Sequence, residues 1–252
     1  MALLENKVAL VTGGSSGIGR ASALAFAREG AKVGVADIAV EGGEETIELI
    51  KKAGGDAIFI QSDVSKAAQV EAMVNKIIRT YGKLDCAHNN AGGTFARAWT
   101  HEYSEGDWDQ VINVYLKGVW LCMKYEISHM LKNSRGAIVN TSSTAGLLGF
   151  RKGAAYAAAK HGVLGVTKAA AIDYAAKGIR VNAVCPGMTR TPPIMKLMGT
   201  DPENIARISS IAPINRLGTP EEIAEVVLWL CSDAASFVTG HGLVADGGLV
   251  IS

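Results

Sequence analysis

Seven short apolar runs alternate with six longer stretches of mixed polarity from one end of the chain to the other, and this rhythm constrains the fold most. The runs are KVALVT (7–12), KVGVAD (32–37), DAIFIQ (56–61), LDCAH (84–88), GAIVNTS (136–142), IRVNAV (179–184) and GLVAD (242–246). They are rich in Val, Ile and Ala and lack a polar face, the pattern of parallel strands covered on both sides. The stretches between them, near 17–29, 41–53, 66–81, 107–132, 154–176 and 220–231, have helical length. This is the pattern of a doubly wound α/β sheet with helices on both faces, and right-handed crossovers leave few alternatives. At 252 residues the chain is sized for a single large domain.

One segment breaks the rhythm. Residues 186–219 are rich in proline and methionine and read as a long irregular insertion. In a compact α/β domain such an insertion is more often a functional lid than filler, and a substrate lid is expected at about 188–215.

Composition excludes several classes of function. Net charge is +1 with neither sign in blocks, so nucleic acid is not an expected partner. Cys86, Cys122, Cys185 and Cys231 are scattered, with no C-x-x-C and no neighbouring His cluster. They read as buried thiols of a reducing compartment, with no metal site. The opening MALLENKVALVTGG has no apolar stretch of signal-peptide length, and no run of about 18 apolar residues occurs anywhere. A cytoplasmic protein without membrane contact is expected.

The first strand runs straight into TGGSSGIG (12–19). Gly13, Gly17 and Gly19 permit a sharp turn in which backbone N–H groups approach a phosphate. The helix beginning near Ile18 aims its positive end at the same place. The spacing G-x-x-x-G-x-G differs from the general dinucleotide fingerprint, and a purely structural turn is the competing reading. Asp37 ends the second strand eighteen residues past Gly19, where a carboxylate can bind an adenosine ribose and repel a 2′-phosphate. It equally reads as a turn aspartate. Arg20 is a counter-signal, because a base near the turn could accept the extra phosphate.

With TGGSSGIG, NNAG (89–92), a serine thirteen residues before YAAAK (156–160), NAVCPG (182–187) and VADGG (244–248), the sequence resembles the short-chain dehydrogenase/reductase family over essentially its whole length. The resemblance implies a Rossmann-type sheet of seven parallel strands, a nicotinamide cofactor and a homotetramer. It implies a catalytic set of Asn113, Ser143, Tyr156 and Lys160, with Ser142 as the bland neighbour. For the cofactor it implies Gly13, Ser15, Ser16, Gly17, Ile18 and Gly19 at the phosphates, and Asp37, Asp63 and Val64 at the adenosine. Asn89 to Gly92 would form the floor, with Asn90, Ala91 and Gly92 in contact. Pro186, Gly187, Thr189 and Thr191 would sit at the nicotinamide, and Tyr156 and Lys160 would also touch the cofactor.

The chemistry explains why these residue types recur together. Hydride transfer at a carbinol carbon must be matched by a proton on its oxygen. A free phenol has a pKa of about 10, and a lysine one helical turn away is expected to favour its phenolate. Ser143 would steady charge on the substrate oxygen. Asn113, expected inside a long helix, would support a water linking Lys160 to solvent, as the resemblance implies. His88, His161 and Cys185 read as structural. Ten alanines and two glycines in 154–176 leave that helix without bulk, suited to close packing or to a subunit interface.

Phe95, Leu147, Phe150, Met188 and Met195, with Leu148, Ile194 and Met198, give the expected pocket an apolar lining. Several of them could instead pack the lid against the core. The reading is an NAD(H)-preferring oxidoreductase acting on a small or medium secondary alcohol or ketone, possibly cyclic. The alternatives are an NADPH-dependent 3-oxoacyl carrier-protein reductase and a non-catalytic nucleotide-binding regulator.

Overall fold

The computed structural model describes residues 2–252. Strands β1 (Val8–Thr12), β2 (Lys32–Asp37), β3 (Ala57–Gln61), β4 (Cys86–Asn89), β5 (Gly136–Thr141), β6 (Ile179–Pro186) and β7 (Gly242–Ala245) form one sheet in the order β3-β2-β1-β4-β5-β6-β7. Every pairing is parallel, as the unbroken apolar runs predict. Helices α1 (Gly17–Arg28), α2 (Val40–Lys52), α3 (Ala67–Tyr81), α4 (Glu105–Ile112), α5 (Gly118–Asn133) and α6 (Ala154–Tyr174) follow the strands in turn. Between β6 and β7 lie α7 (Pro192–Met198), α8 (Pro202–Ser209) and α9 (Pro220–Cys231).

β1 shows why the strands carry no polar face. All five of its residues are buried, but side chains alternate across a sheet. Val8 and Leu10 join a core with Met73, Ile77 and Met130 from α3 and α5. Ala9 and Val11 join a second core with Phe26, Ile50 and Val227 from α1, α2 and α9. Each large apolar side chain so buried contributes about 2 kcal/mol. A polar residue at either parity would lie in one of the two cores.

The order of connection reverses between β1 and β4. Successive crossovers run outward in opposite directions from that point, which opens a crevice beyond the carboxyl ends of the two strands. Thr12 pairs with both Ala36 and Asn89, so the strand ends that border the crevice are level.

Two segments differ from the sequence reading. The stretch 186–219 is not wholly irregular, because it contains α7 and α8. Each is preceded by an N-cap residue, Thr191 or Asp201, and begins with proline, whose fixed φ suits a first helical turn. At 7 and 8 residues they are about two turns each, below the length at which a sequence is read as a helix. The expected single helix over 107–132 is interrupted by a π-helical turn, Asn113–Lys117, in which the Gly118 N–H reaches the Asn113 carbonyl. Such single-turn bulges mark functional sites more often than ordinary helix does. All four cysteines are free and buried. Among the described residues no helix is long and apolar enough to cross a membrane, and no three His, Cys, Asp or Glu side chains cluster as a metal site.

Candidate active site

The glycine turn closes directly over the crevice. Gly13 (φ +67°) and Gly17 (φ +52°) occupy the left-handed region that side chains disfavour. Gly19 is required for space, since a Cβ there would lie 2.0 Å from the Gly13 carbonyl oxygen. Ser16 caps α1 without a side-chain hydrogen bond, and no acid occupies the first turn. The helix N-terminus therefore keeps its positive end for an anion.

Asp37 sits where β2 ends. Its Oδ2 accepts the Ser15 N–H at 3.0 Å and its Oδ1 the Ala39 N–H at 3.0 Å. Asp37 thus does brace a turn, yet each carboxylate oxygen keeps a second lone pair for a ribose hydroxyl. Arg20 loses its force as a counter-signal. Its guanidinium donates to the Ser15 carbonyl at 2.6 Å, the Gly42 carbonyl at 3.2 Å and Glu45 at 2.6 Å. Below Asp37 a cavity of about 200 Å³ is lined by Ser62, Asp63, Val64, Ala91 and Gly92. Asp63 also holds the Ser65 hydroxyl at 2.7 Å.

The NNAG segment divides its labour. Asn90 reaches back to the Thr12 and Gly13 carbonyls at 3.3 and 3.4 Å, and the Thr12 hydroxyl accepts the Asn90 and Ala91 N–H groups. Gly92 lies under Tyr115, where a Cβ would come within 2.7 Å of the ring. Asn89 points to the other side of the sheet, which removes it from the expected cofactor floor. There its amide donates to Glu126 and to Asn140, both at 3.0 Å.

At the other end of the crevice α6 presents Tyr156 and Lys160 one turn apart. Phe95 stacks on the Tyr156 ring with centroids 4.2 Å apart and planes 6° from parallel. Tyr115 meets the same ring edge-on at 5.2 Å, and Phe150 lies tilted at 5.8 Å. Ala155 and Ala159 are fully buried against Val111 and Tyr115, the close packing that small side chains on this helix allow. Larger side chains at 155 and 159 would push the Tyr156–Lys160 turn away from the crevice.

The phenol and the ammonium are related differently from the sequence expectation. Lys160 Nζ donates to the Thr141 carbonyl at 2.7 Å and lies 5.7 Å from the centre of the Tyr156 ring. Burial pushes the Lys160 ammonium down to about 7. Burial raises the Tyr156 phenol above its ordinary value, and the Ser143 hydroxyl pulls it partly back. The neighbour that favours the phenolate here is serine, because the lysine is turned to the end of β5. Ser143 also caps a short helical turn by accepting the Ala145 N–H at 3.1 Å. Ser142 is buried and bonded to the Lys160 carbonyl at 2.8 Å, a structural role. Asn113 opens the π turn, whose Tyr115 lies 5.1 Å below the Lys160 ammonium.

His88 is buried, bonds the Thr141 hydroxyl at 2.9 Å, and is held neutral by burial down to about 3. His161 bonds only the Ala157 carbonyl one turn back. Thr191 packs onto Gly17, 3.1 Å from where a Cβ would stand, which brings the base of the lid to the glycine turn. Thr189 bonds the Gly187 carbonyl at 3.2 Å, and Pro186 ends β6 beside Ala245. Leu147, Phe150 and Met195 are exposed. Met188 and Ile194 instead pack with buried Met198 against Ile208 and Leu217, so the lid's own small core draws those three from the expected pocket lining.

Sequence reasoning missed Tyr115, Glu126 and the pairing of two loops that brings the exposed cations Arg97, Arg151 and Lys152 together. Tyr115 could have been found from its place two residues after Asn113. The cations come from distant loops, and no spacing announces them.

A parallel sheet with a crevice at its reversal point and a Ser–Tyr–Lys constellation at the end of it defines a Rossmann-type oxidoreductase fold. The chain belongs to the short-chain dehydrogenase/reductase family: a family model described as enoyl-(acyl carrier protein) reductase matches residues 13–250. Among its relatives, cyclohexanol dehydrogenase of Acinetobacter sp. (strain SE19) is 45% identical over 96% of this chain and 94% of that protein. The 3-oxoacyl-acyl-carrier-protein reductase FabG of Thermotoga maritima is 43% identical over 98% of this chain and 99% of its own. The crystal structure of levodione reductase superposes with a TM-score of 0.95 at 35% identity, covering 99% of both chains.

Proposed function

We propose that this protein is an NAD(H)-preferring reductase of compact cyclic ketones, working reversibly on the corresponding secondary alcohols. The observation that carries the reading is the convergence of Ser143 and Tyr156 in an aromatic box at the end of the crevice that the glycine turn opens. The residues fit a dinucleotide on their own geometry. The α1 N-terminus has no acidic side chain to compete with a pyrophosphate, Gly13 and Gly19 bring backbone close, and Asp37 has lone pairs to spare. Gly13, Ser15, Ser16, Gly17, Ile18 and Gly19 would hold the phosphates, and Asp37, Asp63 and Val64 the adenosine. Asn90, Ala91 and Gly92 would lie beneath, with Pro186, Gly187, Thr189 and Thr191 at the nicotinamide.

The bound nicotinamide supplies or accepts the hydride. Tyr156 donates a proton to the carbonyl oxygen during reduction and takes it back during oxidation. Its raised pKa keeps the phenol protonated at neutral pH, which suits the reducing direction. The Ser143 hydroxyl donates to the same oxygen as charge develops. Lys160, held by the Thr141 carbonyl, positions the ribose and passes protons inward from the Asn113 turn.

Substrate class follows from the box. Phe95 and Phe150 surround the Tyr156 ring with apolar surface, which suits an apolar ring. The relatives named for cyclohexanol and levodione point the same way. Asp37 separates this reading from an NADPH-dependent 3-oxoacyl carrier-protein reductase, because a 2′-phosphate would meet its carboxylate. The buried free thiols suit the reducing cytoplasm. The exposed Trp120, Leu131 and Ile172 on α5 and α6 suit subunit contacts in a homotetramer.

The test is a panel of cyclic and linear ketones with NADH and NADPH, followed by absorbance of the reduced cofactor. Cyclic ketones should lead, and NADH should exceed NADPH by about tenfold, or 1.4 kcal/mol. Asp37→Ser should narrow that ratio. Equal rates with the two cofactors, or a ratio that Asp37→Ser leaves alone, would overturn the assignment.

A further inference from the structure

We infer that Tyr115 is a positioning residue for the reaction proposed above: its hydroxyl fixes the loop that carries Phe95, and its ring steadies the positive charge of Lys160. This rests on the reductase reading and goes beyond it, because Tyr115 itself exchanges neither hydride nor proton with the substrate. Tyr115 is the buried residue of the π turn Asn113–Lys117, only 6% exposed. It lines the same cavity as Asp37, Asp63 and Phe95.

The hydroxyl closes on one residue from both sides. It accepts the Gly93 N–H at 2.8 Å and donates its own proton to the Gly93 carbonyl. Burial raises the phenol to about 12, so it stays a donor at neutral pH. Gly93 follows Gly92, whose Cβ would meet the Tyr115 ring at 2.7 Å. It precedes Phe95, whose ring meets Tyr115 edge-on at 6.1 Å and covers the face of the Tyr156 ring. The paired hydrogen bonds at Gly93 therefore tie the expected cofactor floor to the aromatic cover of the catalytic phenol. A tyrosine buried only for packing needs a single partner for its hydroxyl.

The ring acts on the lysine. Lys160 Nζ lies 5.1 Å from the centre of the Tyr115 ring and 5.7 Å from that of Tyr156, both within reach of a cation–π attraction. The Thr141 carbonyl on β5 and the Cys185 thiol on β6 also face it, and burial keeps that thiol protonated. Among the described residues no carboxylate pairs with Lys160. The buried charge is thus held by one carbonyl and two aromatic rings. Burial pushes the ammonium down to about 7, and the Tyr115 ring opposes that fall.

Three measurements on the full-length enzyme test this, and two of them need no turnover. Hydrogen exchange at the Gly93 amide should quicken by about tenfold or more in Tyr115→Phe. The Ala91 amide, held by the Thr12 hydroxyl, is the control that should not change. Exchange at Gly93 that Tyr115→Phe leaves alone would overturn the clamp. A carbon-13 titration of the Lys160 side chain, assigned with Lys160→Arg, should show a midpoint at about 7 that Tyr115→Phe does not move. Mono-, tri- and pentafluorophenylalanine at position 115 keep the outline of the ring and withdraw its π charge step by step. They should lower the midpoint progressively, by about one pH unit at full fluorination, and a series without that trend would overturn the cation–π contact. The third measurement is reduction of cyclohexanone with NADH. Tyr115→Phe should cut kcat/KM by about tenfold, mostly through KM, with the melting point nearly unchanged. In the fluorinated series the alkaline fall in kcat/KM should follow the Lys160 midpoint downward. Unchanged kinetics beside the first two effects would leave Tyr115 a packing residue and overturn its positioning role. If the wild type reduces no ketone with either nicotinamide, the reductase reading fails, and exchange and titration still decide the two contacts.

Discussion

Replacing Glu126 with glutamine should stabilise the protein, and by an amount that grows with pH. Glu126 is fully buried on α5, facing the sheet. One oxygen accepts the Asn89 amide at 3.0 Å, and the other has no partner. Burial drives the carboxyl from an ordinary 4.5 up to about 8, while the Asn89 hydrogen bond pulls back only part of the way. A raised folded-state value means the unfolded chain releases the proton first. The contribution is therefore fully present below about pH 4.5 and is lost as pH rises to about 8. Each pH unit in that window costs about 1.4 kcal/mol, on the order of 5 kcal/mol across it. Glutamine keeps the shape and never ionises. Lys160 and His88, both pushed down by burial to about 7 and about 3, contribute slopes of opposite sign. Those slopes are common to both proteins and cancel in the difference. Urea unfolding followed by circular dichroism at about pH 5, 6.5, 8 and 9 should give a Glu126→Gln advantage near zero at the acid end, rising to a plateau above pH 8. At roughly 2–4 °C per kcal/mol for a chain of this size, the melting point should separate by about 10 °C or more. A difference that stays flat with pH would refute the buried neutral carboxyl, and so would a glutamine variant less stable at high pH.

Two further perturbations address the site. Tyr156→Phe retains the stacked ring and deletes the proton, so kcat should fall by about 10²–10⁴ while NADH affinity, read by fluorescence titration, stays within a few-fold; retained turnover would remove the phenol from the chemistry. Gly19→Ala forces a methyl against the Gly13 carbonyl, which must open the turn at a cost of about 1–3 kcal/mol. NADH binding should weaken by at least about tenfold together with a lower melting point, and an unchanged dissociation constant would show that the turn does not approach the cofactor.

The sheet was legible because its central strands are buried on both faces. Val8 to Thr12 must be apolar at both parities, and a run of that kind bounded by glycine or aspartate has few other readings. The lid helices were hidden for a different reason, since each has only two turns, begins with proline and sits in a segment rich in proline, where such a short period passes unnoticed. The π turn at Asn113 was visible only as a misplaced asparagine. A single inserted residue in a helix changes which carbonyl is free without changing the composition around it. The proposed catalytic pair shows the limit most clearly. An i, i+4 spacing fixes that Tyr156 and Lys160 share a face, but it does not fix where the ammonium is aimed. That is decided by the Thr141 carbonyl at the end of β5, nineteen residues away, whose hydrogen bond at 2.7 Å takes Nζ away from the phenol. The cations of the two paired loops follow the same rule. Arg97 and Arg151 stand 54 residues apart, and their conjunction exists only because two loop backbones pair. Local sequence specifies the elements and the reactive groups they carry. The directions in which those groups act come from backbone atoms supplied by other strands and loops.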